Sequence, residues 1–232
     1  MTMGAKETIS AKVTLSAREN PLANDPADAV SFADLAAGRR SIRRYLPLPV
    51  ARELVDALLE TAVTAPSAHN RQPWRFLVIE TQAAKENLAR SMGERLRADR
   101  SRDGDPADAV DADVARSHSR LTGAPVIILV CMTMADMDCY PDEKRNRAER
   151  LMAAQGTAMA AQNLLLAAHA AGLGACWMCA PLFCPETVSA ALALPSDWEP
   201  QAIVTLGYPA DQGKPFRRLP VCEVARYEDG EP

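Results

Sequence analysis

The residues best suited to chemistry lie in two short polar runs in the first third of the chain. The first is RRSIRRY at 39–45, in which Arg39, Arg40 and Arg43 surround the hydroxyl of Ser41. Planar guanidinium groups form paired hydrogen bonds with phosphate, which the compact ammonium of lysine does not. The run is typical of an anion site, although a solvated helix end has the same composition.

The second run is APSAHNRQPWRF at 65–76, a polar loop that leads into an apolar stretch. Pro66 and Pro73 stiffen its backbone. The hydroxyl of Ser67 and the amide of Asn70 supply donors and acceptors that can meet the edge of a ring. Together the two runs predict a site for a ligand that is both anionic and planar.

Several catalytic motifs are missing from the sequence. It contains no GxSxG, no GxxxxGK[ST] and no strand followed by GxGxxG. A nucleophile-elbow hydrolase, a P-loop NTPase and a Rossmann dehydrogenase therefore lose support. The three histidines, His69, His118 and His169, do not share metal-ligand spacing, so we expect no metal site.

Six cysteines are spread through mostly apolar segments, and Cys176 and Cys179 have the CxxC spacing of a redox pair or metal site. No second CxxC and no histidine lie near them. We therefore favour buried, reduced thiols in a structural role, and the redox alternative stays open.

The composition indicates a globular protein, with 48% hydrophobic residues in 232. Its net charge of −4 does not favour general nucleic-acid binding. The opening segment has no charged-then-apolar leader, and the longest apolar helical pattern is interrupted by polar residues. We therefore expect a cytoplasmic protein without a membrane span.

The elements that must position the two runs are largely helical. Ser31 predicts the N-cap of a short helix at 32–40, which ends in the first run. Apolar spacing predicts a helix at 50–65 between the runs, a strand at 74–79 and an amphipathic helix at 82–100.

A polar break at 101–110 leads into a further helix at 107–121. The break suits either a mobile flap over a pocket or a plain solvent loop. The apolar run at 125–132 predicts a strand covered on both faces. The pattern at 148–171 predicts a helix buried on most sides, at the centre of the fold or of a dimer interface.

The remainder predicts a turn and strand at 172–181, a helix at 185–194, a strand at 201–208 and a basic tail. This mixed order favours a layered α/β/α arrangement. Residues 1–30 show no sustained periodicity, so we expect a flexible N-terminal arm there.

The sequence resembles the nitroreductase family of flavin enzymes. The two polar runs carry the resemblance, together with GLGACWM at 172–178 and IVTLGYP with the basic tail at 203–218. The likeness covers about 32–220. It implies an α+β fold with a central, mostly antiparallel sheet flanked by helices. It also implies a single FMN-binding domain over 31–232, and a homodimer with non-covalent FMN at its interface.

The resemblance implies cofactor-binding positions in two groups. Those at the phosphate, ribityl chain, ring carbonyls and ring edge are Arg39, Arg40, Ser41, Arg43, Ser67 and Asn70. The backbone at Met178 and Cys179 would lie beside the ring from the partner subunit. A tail arginine, Arg217 or Arg218, would reach the phosphate. Flavin N5 would carry the hydride, so the resemblance implies no catalytic side chain.

A narrower resemblance points to the C-terminal reductase domain of the bifunctional coenzyme F420 biosynthesis enzyme. It rests on 103–110, 140–149, 172–177 and 195–208. In that family, reduced FMN saturates a double bond of dehydro-F420-0. The ligase domain of that enzyme has no counterpart in these residues, so we expect no γ-glutamyl ligation. Asn70 departs from the reductase domain and matches general nitroreductases.

Two other functions stay open: a broad NAD(P)H-dependent nitro- or quinone reductase, and a non-catalytic flavin-binding protein. Both would retain the same arginines and Asn70. A small-molecule substrate would stack on the exposed ring face, under the segment at 97–106. Asp99 and Arg100 are the expected substrate contacts there, although a solvated surface is the alternative.

Overall fold

A single four-stranded sheet forms the middle layer of the computed structural model, which describes residues 31–228. The expected arm at 1–30 lies outside the described residues. Every strand pair is antiparallel, and the spatial order is β1-β2-β4-β3. The strands are β1 Trp74–Ile79, β2 Val126–Met132, β3 Gly174–Met178 and β4 Glu199–Gly207.

The described part of the chain contains seven α-helices. They are α1 Phe32–Gly38, α2 Arg52–Ala62, α3 Gln82–Arg102, α4 Ala107–Thr122, α5 Glu143–Ala170, α6 Pro185–Leu192 and α7 Val221–Val224. Two 3₁₀ turns, Ala68–Asn70 and Ala180–Phe183, lie in the loops. Among these helices, none is long and apolar enough to cross a membrane.

The strand β2 shows why the sheet lies between two helical layers, since all seven of its residues are buried. On one face Ile128 packs with Leu58 of α2 and Leu164 of α5. On the other, Leu129 packs in a second cluster with Leu88 of α3. Apolar side chains on both faces require cover on both faces. The predicted layered α+β fold with a mostly antiparallel central sheet is confirmed.

Several predicted boundaries differ from the structure, among them that of α2, which spans Arg52–Ala62 rather than 50–65. The helix α5 begins at Glu143 rather than near Ala148, because the side chain of Asp142 accepts a hydrogen bond from the backbone N–H of Arg145 and caps the helix. That charged first turn carries no apolar stripe, so periodicity alone missed it. The strand β4 starts at Glu199 rather than Gln201, because it pairs with the last residues of β2.

The polar break between α3 and α4 is much shorter than expected. The helix α3 continues to Arg102, and Gly104, with φ of 85°, turns the chain back towards α4. Arg100 forms ion pairs across the turn with Asp105 at 2.5 Å and with Asp113. The break is therefore a tight, ion-paired connection, which resembles the solvent-loop alternative more than an extended flap.

Candidate functional site

The first arginine run lies along the free edge of β3. Ser41 forms a parallel bridge with Ala175, and the backbone N–H of Ile42 donates to the carbonyl of Ala175 at 3.0 Å. The close approach depends on Gly174, because a Cβ built there would lie 2.7 Å from Cγ2 of Ile42. The sheet therefore fixes the backbone from which the arginine side chains project.

A half-buried phenol, that of Tyr45, anchors the other end of the run. The hydroxyl of Tyr45 lies 2.7 Å from the carbonyl of Ile42, 3.1 Å from the carbonyl of Thr205 and 2.7 Å from the hydroxyl of Thr205. Burial raises the pKa of Tyr45 above its usual value, so the phenol stays protonated at physiological pH. These contacts hold the run against β4 as well as β3.

We expect Tyr45→Phe to lower the free energy of unfolding by about 1–3 kcal/mol, because it removes the hydroxyl that links the carbonyl of Ile42 in the run to Thr205 in β4. Urea denaturation followed by circular dichroism measures this. The phenyl ring is retained, so packing is not the cause of the loss. An unchanged midpoint of the urea transition would contradict the anchoring role of Tyr45.

The basic tail folds back over the same run. The backbone N–H of Leu46 donates to the carbonyl of Tyr208 at 2.8 Å, and that of Ala210 donates to the carbonyl of Arg44 at 3.0 Å. Gly213, with φ of 74°, then turns the chain. The two segments lie close enough at Gly213 that a Cβ there would be 3.2 Å from the Cβ of Arg40 and from Cδ1 of Ile42. The tail thereby returns to the first run next to Arg40.

The arginines in this cluster have different roles. One terminal nitrogen of Arg40 donates to the carbonyls of Ala37, Gly38 and Arg39 at 2.6, 2.9 and 3.0 Å. Its guanidinium therefore satisfies carbonyls at the C-terminus of α1. Arg43 donates to the carbonyl of Ser41 at 3.4 Å and lies within hydrogen-bonding reach of the Cys176 thiol. Neither contact neutralises its charge.

Positive charge accumulates around Arg39 without neutralisation. Burial lowers the pKa of Arg39, and the neighbouring charges of Arg218 and Arg40 lower it further. Within residues 31–228, Arg39, Arg40, Arg43 and Arg218 have no carboxylate within ion-pair distance. Elsewhere most arginines are paired, as Arg150 is with Glu199. A cluster of like charges is unfavourable unless an anion neutralises it.

The second polar run forms a strained loop. His69, Asn70 and Gln72 have φ of 48°, 53° and 50°, a left-handed conformation that costs a non-glycine residue about 1–3 kcal/mol. The hydroxyl of Ser67 accepts the backbone N–H of Gln72 at 2.9 Å and helps to hold this shape. Asn70 is exposed at the loop tip. Such strain is concentrated at functional sites.

The loop and the arginine run are positioned by different elements. Ser67 packs against α5, where a Cβ added to Gly156 would lie 3.3 Å from the Cβ of Ser67. The arginine run lies on β3. No hydrogen bond or ion pair joins the two runs in the part of the chain that the structure describes. A ligand that contacted both would have to bridge them.

The end of β3 leads to an exposed apolar turn. Met178 is half-buried and Cys179 is exposed, and the indole N–H of Trp177 donates to the sulfur of Cys179 at 2.7 Å. The next turn exposes 52% of Leu182 and 79% of Phe183. This is an apolar surface beside the predicted ring-contact backbone.

The cysteines of the CxxC spacing occupy different environments. Cys176 is buried, and burial raises the pKa of its thiol even though Arg43 and other arginines lie nearby. Cys179 is exposed. Both are free thiols, and no group of histidines, cysteines and carboxylates in the described residues could hold a metal ion. The elevated pKa of the Cys176 thiol disfavours the reactive thiolate.

The predicted substrate contacts have partners within the chain. Asp99 pairs with Arg95 at 2.6 Å and with Arg102 at 3.5 Å, and Arg100 pairs with Asp105 and Asp113. A substrate would therefore have to compete with existing ion pairs for either side chain.

The tail arginine closest to the cluster is Arg218. Its guanidinium carbon and that of Arg40 each lie 4.0 Å from the centroid of the Phe216 ring. Arg217 makes no hydrogen bond, ion pair or ring contact within the described residues. The sequence analysis did not identify Phe216 or Tyr45 as site residues. The aromatic residue among basic ones in KPFRR does indicate a cation–π contact.

The comparisons with known proteins agree with this architecture. The model of the Nitroreductase family matches residues 36–208. The chain belongs to the nitroreductase family. The match includes both polar runs and all four strands, and it ends just before the basic tail.

Among curated relatives of this nitroreductase-family chain is an NADH dehydrogenase from Thermus thermophilus. It is 33% identical over 210 residues, which cover 80% of this chain and 90% of the relative. A 5,6-dimethylbenzimidazole synthase from Rhodospirillum rubrum is 30% identical over 181 residues, covering 75% of this chain and 80% of the relative. Related sequences thus carry different activities.

A solved structure with the same fold is that of a candidate nitroreductase from Desulfovibrio desulfuricans in complex with FMN. It has a TM-score of 0.65 and 31% identity, and the match covers 90% of this chain and 99% of the other. A candidate NADH oxidase from Clostridium acetobutylicum has a TM-score of 0.63 and 27% identity, covering 84% and 99%.

Proposed function

We propose that this member of the nitroreductase family is an FMN-dependent oxidoreductase that delivers a hydride to a small-molecule substrate. The observation that carries the proposal is the cluster of Arg39, Arg43 and Arg218, which has no carboxylate partner in the described chain. The FMN bound to the Desulfovibrio desulfuricans relative supports it.

The donor set fits a phosphorylated flavin. Arg39 and Arg218 would hold the phosphate, and Arg43 and Ser41 would contact the ribityl chain and ring carbonyls. Of the two tail arginines, we prefer Arg218 to Arg217 because it lies beside Arg39. Arg40 would act mainly through its cap on α1, which orients Arg39.

The strained loop would meet the edge of the ring. The exposed amide of Asn70 can both donate and accept hydrogen bonds there. Ser67 already accepts the backbone N–H of Gln72, so its proposed role is mainly to fix the loop. The backbone at Met178 and Cys179 would lie beside the ring from a second subunit.

Bound FMN would supply the hydride chemistry, and the protein would supply binding, orientation and electrostatics. The arginines would place fixed positive charge where negative charge develops, so no reorganisation is needed during the reaction. No side chain is assigned as an acid, base or nucleophile.

The first test is the cofactor itself. We expect the purified protein to be yellow and to release FMN when denatured, as identified by chromatography against FMN, FAD and riboflavin standards. Colourless protein that cannot be reconstituted with FMN would contradict the proposal.

We propose that the active form is a homodimer with FMN at its interface. The support is the exposed apolar pair Leu182 and Phe183 beside Cys179, together with Leu151 and Met159 exposed on α5. Removing such side chains from water contributes about 25 cal/mol per Å² of apolar surface, which offsets part of the entropy cost of association.

We expect Phe183→Glu to weaken the dimer and to reduce FMN content, because it places a charge in the proposed interface. Light scattering and the flavin absorbance of the same sample measure the two effects. Phe183→Leu is the matched control, since it keeps an apolar side chain and should remain dimeric. A wild-type monomer that retains FMN would contradict the interface site.

For the substrate, we propose dehydro-F420-0, with reduced FMN saturating its double bond. The four segments that resemble the F420 reductase domain support this choice. The alternative is a broad nitro- or quinone reductase with NAD(P)H as electron donor, which is favoured by relatives named NADH dehydrogenase and NAD(P)H nitroreductase. A non-catalytic flavin-binding role is the third possibility.

One experiment separates these three functions. The bound flavin is reduced anaerobically, and dehydro-F420-0, a nitroaromatic compound or a quinone is then added while the flavin absorbance is followed. Rapid reoxidation by dehydro-F420-0 alone supports the narrow function, and reoxidation by the other acceptors supports the broad reductase. Flavin that stays reduced with every acceptor indicates a binding protein. Reduction by NADH or NADPH identifies the donor.

We also propose that a single domain begins near residue 31, and that the protein is cytoplasmic. Limited proteolysis that yields a fragment beginning near residue 31, without loss of flavin, would support the domain boundary.

A further inference from the structure

The aromatic ring of Phe216 occupies an unusual place in the arginine cluster. The guanidinium carbons of Arg40 and Arg218 each lie 4.0 Å from its centroid. The face of an aromatic ring attracts cations, and this attraction offsets part of the repulsion between two cations that contact the same ring. The ring therefore links an arginine of the first run to an arginine of the tail.

The tail has few other means of holding Arg218 in place. After the turn at Gly213 it forms no helix or strand until α7 begins at Val221, and 58% of Leu219 is exposed. Phe216 itself is 42% exposed and lies outside the core clusters. Its contribution to folding is therefore small compared with its effect on the nearby guanidinium groups.

Arg40 is a rigid support for this contact. Its guanidinium is fixed by three carbonyls at the end of α1, so the ring of Phe216 rests on a group that is already held. Arg218, stacked on the same ring, is thereby kept close to Arg39. The proximity is reflected in the pKa of Arg39, which burial lowers and the charge of Arg218 lowers further.

We infer that Phe216 is a positioning residue that selects the phosphorylated flavin, FMN, over riboflavin by holding Arg218 beside Arg39. The inference rests on the proposed FMN function and adds to it a determinant of cofactor selectivity. Phe216 need not touch the flavin. Without the ring, Arg218 would spread over many conformations away from Arg39, and the phosphate would lose a positioned cation.

The test compares the dissociation constants of FMN and riboflavin for the apoprotein, by flavin fluorescence at low and high salt. Phe216→Leu removes the ring and keeps an apolar side chain, whereas Phe216→Tyr keeps the ring. Leu219→Ala is a control for general disturbance of the tail. Urea denaturation of each variant checks that the fold is intact.

We expect Phe216→Leu to weaken FMN binding on the order of tenfold and to leave riboflavin binding unchanged. Phe216→Tyr and Leu219→Ala should retain the wild-type ratio of the two constants. The salt dependence of FMN binding should be smaller in Phe216→Leu, because one positioned charge is lost.

Two kinds of failure are distinguishable. If the wild-type protein binds no FMN, the proposed function is wrong. If it binds FMN but Phe216→Leu keeps the same preference over riboflavin, or weakens both flavins equally, the positioning role of Phe216 is wrong. A loss in Phe216→Tyr as large as that in Phe216→Leu would also contradict it, because the aromatic ring would then not be the cause.

Discussion

Replacing Arg39 by alanine is expected to weaken FMN binding by about 1.5–3 kcal/mol, which corresponds to roughly 10- to 150-fold. The reason is that Arg39 is partly shielded from water and has no carboxylate partner in the described chain, so that its charge is available to a phosphate. A charge-assisted hydrogen bond in such a setting is stronger than one at the open surface. Titration of the apoprotein with FMN, followed by fluorescence, measures the change.

Two further variants make the test specific. Arg39→Lys keeps the positive charge but loses the planar guanidinium group. Its FMN affinity should therefore lie between those of the wild type and Arg39→Ala. Arg90→Ala is the matched control, because Arg90 is exposed on α3 and already interacts with Glu94 and Asn87. Equal FMN affinity in Arg39→Ala and Arg90→Ala would remove Arg39 from the proposed phosphate site.

Gly174→Ala is the second substitution with a large expected effect. The new Cβ would lie 2.7 Å from Cγ2 and 2.8 Å from Cβ of Ile42, and these atoms cannot move without shifting the arginine run. We expect a loss of about 1–3 kcal/mol of stability from overpacking. FMN affinity should fall as well, since the run would be displaced from β3.

The double variant Gly174→Ala with Ile42→Gly tests the cause. It removes the Cβ, Cγ1 and Cγ2 atoms of Ile42 that the new Cβ would meet, so its loss of stability should be smaller than the sum of the two single losses. Additive losses in urea denaturation would show that the contact between Gly174 and Ile42 is not what limits the approach of the run.

Those parts of the fold that depend on local side-chain patterns could be predicted from the sequence. The unbroken apolar run of β2 requires cover on both faces, and the cap at Ser31 is a local signal. The start of α5 was not predicted, because its cap at Asp142 precedes a charged turn with no apolar stripe.

The site was less predictable, because its contacts join distant parts of the chain. Composition identified the arginines but could not assign them separate roles. Arg40 is engaged by three carbonyls at the end of α1, whereas Arg39 has no such partner. Likewise, the sequence does not indicate that Arg218 rather than Arg217 meets the first run, since this depends on the turn at Gly213 and on the ring of Phe216.

The return of the tail to the first run also constrains the order of assembly. Arg39 stands near the beginning of the described chain and Arg218 near its end, and β4, which leads into the tail, pairs with both β2 and β3. Domains begin to fold during synthesis from the N-terminal side. The arginine cluster can therefore be completed only after the last strand and the tail have left the ribosome. A nascent chain that lacks them cannot yet offer the full anion site, whichever ligand it serves.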